Sequence, residues 1–169
     1  MFDPEARPIR RGKLSMKTEF GYKALLTEVE DRLITHYEVH QRNPEDGGLL
    51  PAALQGHVQT VGRRPDTVAT DRGFGTKDNE KRLREAGVKR NSLPFKGRLS
   101  ADRVAHERQR WFRRQQRWRS GQEATISLGS RKYEWRRSRL RGRAGADTWL
   151  GFGILIHNLD RLVVIGAAR

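Results

Sequence analysis

The chain has 169 residues, 35% of them hydrophobic, which suffices for a modest core and predicts one domain over 1–169. Its 35 Lys and Arg against 20 Asp and Glu leave a net charge of +15, more than solubility needs, and no Lys-rich amphipathic anchor accompanies it. The expected partner is therefore nucleic acid and not a membrane. The absence of cysteine excludes disulfides and thiolate zinc sites, and the N-terminal MFDPEARPIRRGK lacks the apolar core of a secretory signal, so a cytoplasmic protein is expected.

Residues 18–29 (TEFGYKALLTEV) place Phe20, Tyr22, Ala24 and Leu26 at period two, and 33–39 (LITHYEV) does likewise with Leu33, Tyr37 and Val39. This predicts an antiparallel hairpin turning at Glu30-Asp31-Arg32. Asn43-Pro44-Glu45-Asp46 closes the second strand. Leu49, Leu50, Ala53, Leu54, Val58 and Val61 then recur at three and four, as on an amphipathic helix that Gly62 ends. After Pro65, Thr67-Val68-Ala69-Thr70 reads as a buried strand that delivers Asp71 to its C-terminal end, where α/β proteins place their chemistry.

Thr76 is an expected helix N-cap, with Asp78 and Glu80 in the first turn and Gly87 as the stop. Val88 to Pro94 reads as a further strand and 95–99 as a loop. From Ser100 a long helix is predicted, its apolar stripe running through Val104, Trp111 and Trp118 at seven-residue steps, with a bend at Gly121. Trp149 to Val164 is strongly apolar, but His157, Asn158, Asp160 and Arg161 interrupt it short of the ~20 residues a bilayer span needs, so it reads as a buried terminal helix. The order β, β, α, β, α, β, α, α predicts a mixed α/β domain.

Between Arg108 and Arg143 thirteen Lys or Arg surround only two acids, Glu123 and Glu134, with Trp111, Phe112, Trp118, Tyr133 and Trp135 interleaved. Such a segment calls for a polyanion. An acid inside a phosphate-binding surface opposes binding unless it holds a divalent cation, which makes Glu123 the residue to explain. At 100° per residue it shares a flank with Phe112, Gln116 and Arg119, and Arg119 stands one turn earlier at i, i+4. Asp71 and Glu123 could meet in space. A third oxygen ligand would then come from Asp3, with Glu5 as its substitute.

These residues carry a resemblance. DPEARPIRRGK at 3–13 with TEFGYK at 18–23, THYEVHQRNPEDGGLL at 35–50, VATDRGF at 68–74 and AHERQRWFRRQQRWRSGQEATIS at 105–127 make the chain similar to the C-terminal part of a bacterial insertion-sequence transposase of the DDE type. The resemblance implies an RNase H-like mixed sheet with flanking helices and a long basic C-terminal helical region. It implies strand cutting and joining on DNA by two-metal phosphoryl transfer with Mg²⁺, Mn²⁺ substituting. It matches Asp71 in TDRGF and Glu123 to the family's second and third catalytic acids, Arg119 to the Arg that often precedes that glutamate, and Asp3 to the first acid.

Arg113, Arg114, Arg117, Arg119, Arg136, Arg137, Arg139 and Arg141 are the expected phosphate contacts. A homodimer on paired insertion-sequence ends, in a nucleoid-associated bacterial protein, follows from the same resemblance. Set against the family, a DNA-binding region and the start of the first strand are expected ahead of Met1, and SLGSRKYEW is less regular than a continuous basic helix, so a truncated or decayed copy is expected. The alternative is a non-catalytic basic nucleic-acid-binding protein, either a degraded transposase or an RNA-binding module.

Plainer roles compete for the same residues. Asp71 could only end a strand, Glu123 could only pair with Arg119, and Asp3-Pro4 could only start a turn. His36 and His40 would stand some 13 Å apart on a strand, which favours surface residues over a metal pair. Gly73-x-Gly75 with Lys77 lacks the Gly-Lys-Ser/Thr of a phosphate loop. Trp111 and Trp118 on one stripe favour burial over base stacking.

Overall fold

The computed structural model describes residues 3–9 and 19–168, so the end of DPEARPIRRGK and Thr18 of the predicted first strand lie outside the described residues. The fold is mixed α/β, as its element order predicts. Its strands form three two-stranded ladders among the described residues, and the chain divides into two compact units where composition predicts one.

The first unit combines residues up to Pro44 with Thr125 onward. β1 (Arg7–Ile9) pairs antiparallel with β2 (Glu19–Gly21), and β3 (Lys23–Glu28) pairs antiparallel with β4 (Ile34–His40). The single strand expected over 18–29 is thus two strands, and Phe20, counted on the inner face by period two, is 71% exposed. The predicted turn is a short 3₁₀ segment at Glu30–Arg32, where Asp31 and Arg32 take positive φ.

α5 (Gln122–Lys132) and α6 (Gly142–Ala167) follow much later in the chain. Ala146, Leu150 and Ile154 of α6 pack with Ile34 and Val39 of β4, and Tyr22, Leu26, Tyr37 and Trp135 close the cluster. The Asn158 side chain donates to the Ile34 carbonyl at 2.8 Å and accepts from its N–H at 2.9 Å, completing backbone bonds that the strand end lacks. Gly129 and Gly153 admit the Trp135 ring, since a Cβ at either would come within 3 Å of it.

The expectation of a buried terminal helix is corrected here. α6 begins at Gly142, so it runs 26 residues and is long and apolar enough to cross a membrane by length and composition. One side, through Ala146, Leu150, Gly153, Ile154 and His157, is buried, whereas Phe152, Ile156, Leu159 and Val163 are half or more exposed. A run apolar all round supplies two faces, and β4 covers one.

The second unit is Glu45–Ala124. α1 (Asp46–Val61) ends as predicted at Gly62, which is left-handed at φ 76° and returns its N–H to the Val58 carbonyl. Pro51 lies inside α1 and has no N–H for the carbonyl four residues back, and that carbonyl, on Gly47, accepts instead from Asn79 Nδ2 at 2.9 Å. β5 (Thr67–Ala69) runs parallel to β6 (Arg90–Ser92), with an isolated bridge between Gly75 and Phe95 beyond them. α2 (Lys77–Glu85) is capped by Thr76 Oγ1, which accepts from Asn79 N at 3.1 Å. Leu83, Val88, Leu93 and Phe112 form the most buried part.

The seven-residue stripe from Ser100 points to one long helix, but the chain makes three: α3 (Ala101–Arg108), α4 (Arg110–Ser120) and α5. Gln109 is extended at ψ 142° and breaks the first from the second, and Gly121 separates the second from the third. The break rephases the helix. Phe112, at 2% exposure, takes the core position that the spacing assigns to Trp111 and Trp118, both of which are only partly buried.

Candidate active site

Asp71 leaves the end of β5 in a tight turn. Its Oδ1 accepts the Gly73 N–H at 2.9 Å and its carbonyl accepts the Phe74 N–H at 3.3 Å, an Asx-type turn that fixes the carboxylate close to its own backbone. Gly73 is required for space, because a Cβ there would stand 1.9 Å from Asp46 Oδ2. Gly75 is required for the same reason, with the Pro94 carbonyl 2.0 Å from where its Cβ would be. Asn79 Nδ2 also donates to the Phe74 carbonyl at 2.8 Å, so one amide ties the turn to the first turn of α1.

On the other side stands α4. Ser92 Oγ donates to the Phe112 carbonyl at 3.3 Å, and Gln116 Nε2 donates to the Ser92 carbonyl at 2.7 Å, to Ser92 Oγ at 2.9 Å and to the Thr70 carbonyl at 3.2 Å. Arg103 of α3 secures the loop after β6. Its Nε lies 2.8 Å from Glu107 Oε1, its Nη1 lies 2.6 Å from Glu80 Oε1, Nη2 donates to the Leu93 carbonyl, and the guanidinium covers the Phe95 ring at 3.7 Å.

Between the Asp71 turn and α4 opens a cleft of about 1030 Å³. Asp71, Asp46 and Glu107 are its acids, and Arg72, Lys96, Arg108, Arg110, Arg113, Arg117 and Arg119 are its cations. Largely exposed cations around the Asp71 carboxylate suit a phosphodiester ligand, which needs charge neutralisation at its non-bridging oxygens and a polar group beside the phosphorus.

The predicted site residues are distributed unevenly. Asp71, Arg113, Arg117 and Arg119 share this cleft. Arg114, on the same helix, is exposed and outside its walls. Glu123 is likewise outside the walls, with a side chain 78% exposed and Oε1 3.8 Å from Arg119. In the first unit, Arg136, Arg137 and Arg139 line a separate cleft of about 680 Å³ with Arg131, where Arg139 also holds Glu134 at 3.0 Å. Arg141 is exposed and precedes α6 as its N-cap.

Asp3 belongs to the first unit. It accepts from Glu5 N at 3.0 Å through Oδ1, and from Tyr22 Oη at 2.9 Å and Gly142 N at 3.0 Å through Oδ2, while Glu5 Oε2 accepts from Arg143 N at 2.9 Å. The two acids thus satisfy free N–H groups at the start of α6. Desolvation, which raises the Asp3 pKa, is outweighed by these donors, and its carboxyl is held below the ordinary range. Burial, joined by the hydrogen bond to Asp3, pushes the Tyr22 hydroxyl up to about 12.

His36 and His40, read as surface residues, flank one carboxylate on β4: His36 Nε2 is 3.0 Å from Glu38 Oε1 and His40 Nε2 is 3.1 Å from Oε2. Among the described residues no three His, Cys, Asp or Glu are gathered closely enough to hold a metal ion. Mg²⁺, however, binds commonly through one or two carboxylates, with phosphate and water completing its shell. A hard oxygen donor at Asp71 amid basic side chains fits that kind of ion and is not a preformed cage.

Four cations of the cleft, Arg72, Lys96, Arg108 and Arg110, together with Asp46 and Gln116, were not singled out as site residues by sequence. Arg72 adjoins Asp71, and Arg108 and Arg110 lie in the basic stretch, so local signals existed for those three. Gln116 lies on the helix flank that carries Arg119, whereas Asp46 and Lys96 reach the cleft only through tertiary packing.

A family model described as the transposase DDE domain matches residues 9–159. No curated protein and no solved structure matches the chain.

Proposed function

Because the chain belongs to the transposase DDE-domain family, we propose that it contributes catalytic machinery for cutting and joining DNA strands, with Asp71 at the centre of the reaction. The observation that supports this reading is the placement of Asp71 at a strand end, in a cleft whose walls carry seven cations, the charge that a DNA backbone calls for. Arg113 and Arg117 bind phosphate and Arg119 positions it. The Gly73 N–H holds the Asp71 carboxylate in one orientation.

The proposed ligands of Mg²⁺, or of Mn²⁺ in its place, are Asp71 and Glu123, with Asp3 the third acid expected from the resemblance. When bound, such an ion polarises the phosphate and makes water or a 3′-hydroxyl a better nucleophile. Asp3 also has a structural role, with Oδ1 held by the Glu5 N–H and Oδ2 by Tyr22 and the Gly142 N–H at the start of α6. The proposal includes a homodimer on DNA, which sedimentation with and without duplex tests directly.

A specific observation favours a second reading, a DNA-binding protein without catalysis: Glu123 is exposed outside the cleft. The two readings separate in a nicking assay on supercoiled plasmid with Mg²⁺. The catalytic reading predicts nicking by the parent and its loss in Asp71→Asn and Glu123→Gln, with plasmid binding retained in both. Equal nicking by all three proteins refutes it, and binding with no nicking by any of them favours the second reading.

A further inference from the structure

The end of the β5–β6 ladder has open acceptors just where Asp71 departs. The Ser92 carbonyl takes the Thr70 N–H at 3.2 Å, but the Thr70 carbonyl, in the peptide that leads into Asp71, has no backbone donor from β6 among the described residues. Gln116 fills that place. Its single amide nitrogen reaches the Thr70 carbonyl, the Ser92 carbonyl and Ser92 Oγ at 3.2, 2.7 and 2.9 Å, and Ser92 itself is fully buried. Ser92 Oγ passes its own proton to the Phe112 carbonyl one turn earlier on α4, so helix and ladder end are joined by a closed set of bonds.

We propose that Gln116 is the positioning residue of the site: its carboxamide fixes the peptide that carries Asp71 against the helix that carries Arg113, Arg117 and Arg119. This rests on the catalytic reading of Asp71 given above. The chemistry requires an amide. A carboxylate in its place has no proton to donate at neutral pH and faces two carbonyl oxygens, and a thioether leaves those oxygens without that donor in a part-buried site. Each loosens the register between the acid that meets the reacting phosphate and the cations that hold its neighbours. A displacement of about 1 Å there is enough to cost on the order of 10²-fold in rate.

The test uses the full chain with Gln116→Met, Gln116→Glu and Asp71→Asn. Plasmid nicking is measured against DNA concentration, and hydrogen exchange at the Gly73 amide, whose bond to Asp71 Oδ1 reports the turn, is measured without DNA. The expected result is a kcat about 10- to 100-fold lower in Gln116→Met at a KM for plasmid close to the parent's, with faster exchange at Gly73 and unchanged exchange in α2. In Gln116→Glu the loss should shrink relative to the parent as pH falls, because the protonated carboxyl regains a donor.

Parental kcat and parental Gly73 exchange in Gln116→Met overturn the proposal. So does a loss shared equally by kcat, plasmid binding and α2 exchange, which marks general unfolding. If Asp71→Asn nicks like the parent, the catalytic reading itself fails, and Gly73 exchange alone then decides whether Gln116 holds the turn.

Discussion

Removing Arg113 and Arg117 together should change how binding responds to salt as well as how strong it is. Each phosphate neutralised on duplex DNA contributes about −0.9 to the slope of log Kobs against log salt. The cleft presents seven cations, Arg72, Lys96, Arg108, Arg110, Arg113, Arg117 and Arg119, so full engagement sets a ceiling near −6 from this surface. Raising salt from about 50 to about 200 mM then weakens binding by roughly 10³- to 10⁴-fold. In Arg113→Ala/Arg117→Ala the slope from the cleft should fall to about −4.5, and the affinity loss should be the same for unrelated duplex sequences. Fluorescence anisotropy with a labelled duplex at several salt concentrations measures both quantities. A parental slope in the double variant, or a flat response in the parent, refutes the assignment of this cleft to the DNA backbone.

Gly75→Ala places a methyl 2.0 Å from the Pro94 carbonyl, a backbone atom that cannot rotate aside, and should destabilise the second unit by about 1–3 kcal/mol, lowering the melting temperature by roughly 2–10 °C. Phe112→Ala removes a ring that is 2% exposed and should cost about 3–5 kcal/mol in denaturant unfolding. Tyr22, with its pKa raised to about 12, should ionise near that pH by ultraviolet titration, and Asp3→Asn should bring the midpoint back toward the ordinary value near 10. Its contribution to stability is complete below pH ~10 and fades as pH rises toward about 12, since the folded state favours the neutral phenol. Asp3 has the opposite sign. Its depressed pKa contributes stability above the unfolded value near 3.9, and this is lost on acidification through the lower folded value, so Asp3→Asn should flatten the acid limb of unfolding.

Elements whose causes are local were legible in the sequence. Gly62 stops α1, Thr76 caps α2, Glu30-Asp31-Arg32 turns the hairpin and Asp71 follows a strand, each because the deciding interactions lie within a few residues. Gly121 was legible for the same reason. The break at Gln109 was not, since RQRWF has helical composition throughout, and only packing of Phe112 in the core of the second unit selects against the continuous helix. Asp3 meets Gly142 across 139 positions of sequence, and no periodicity encodes that contact. Gln116 reads locally as one more polar residue in a basic helix. Its role depends on where two short strands end, which fixes the acceptors it must satisfy. Glu123 drew attention because a carboxylate among arginines is anomalous by charge alone, a signal that needs no knowledge of the fold, whereas Asp71 was marked by its place at a strand end.

Whether Asp71 and Glu123 serve one ion on bound DNA is tested most directly by Mn²⁺ binding, counted by electron paramagnetic resonance for the protein–duplex complex in excess of duplex alone. The parent complex should hold additional Mn²⁺, and Asp71→Asn and Glu123→Gln should each abolish that excess while the duplex stays bound. Parental Mn²⁺ binding in either variant, or no excess in the parent, contradicts a shared site.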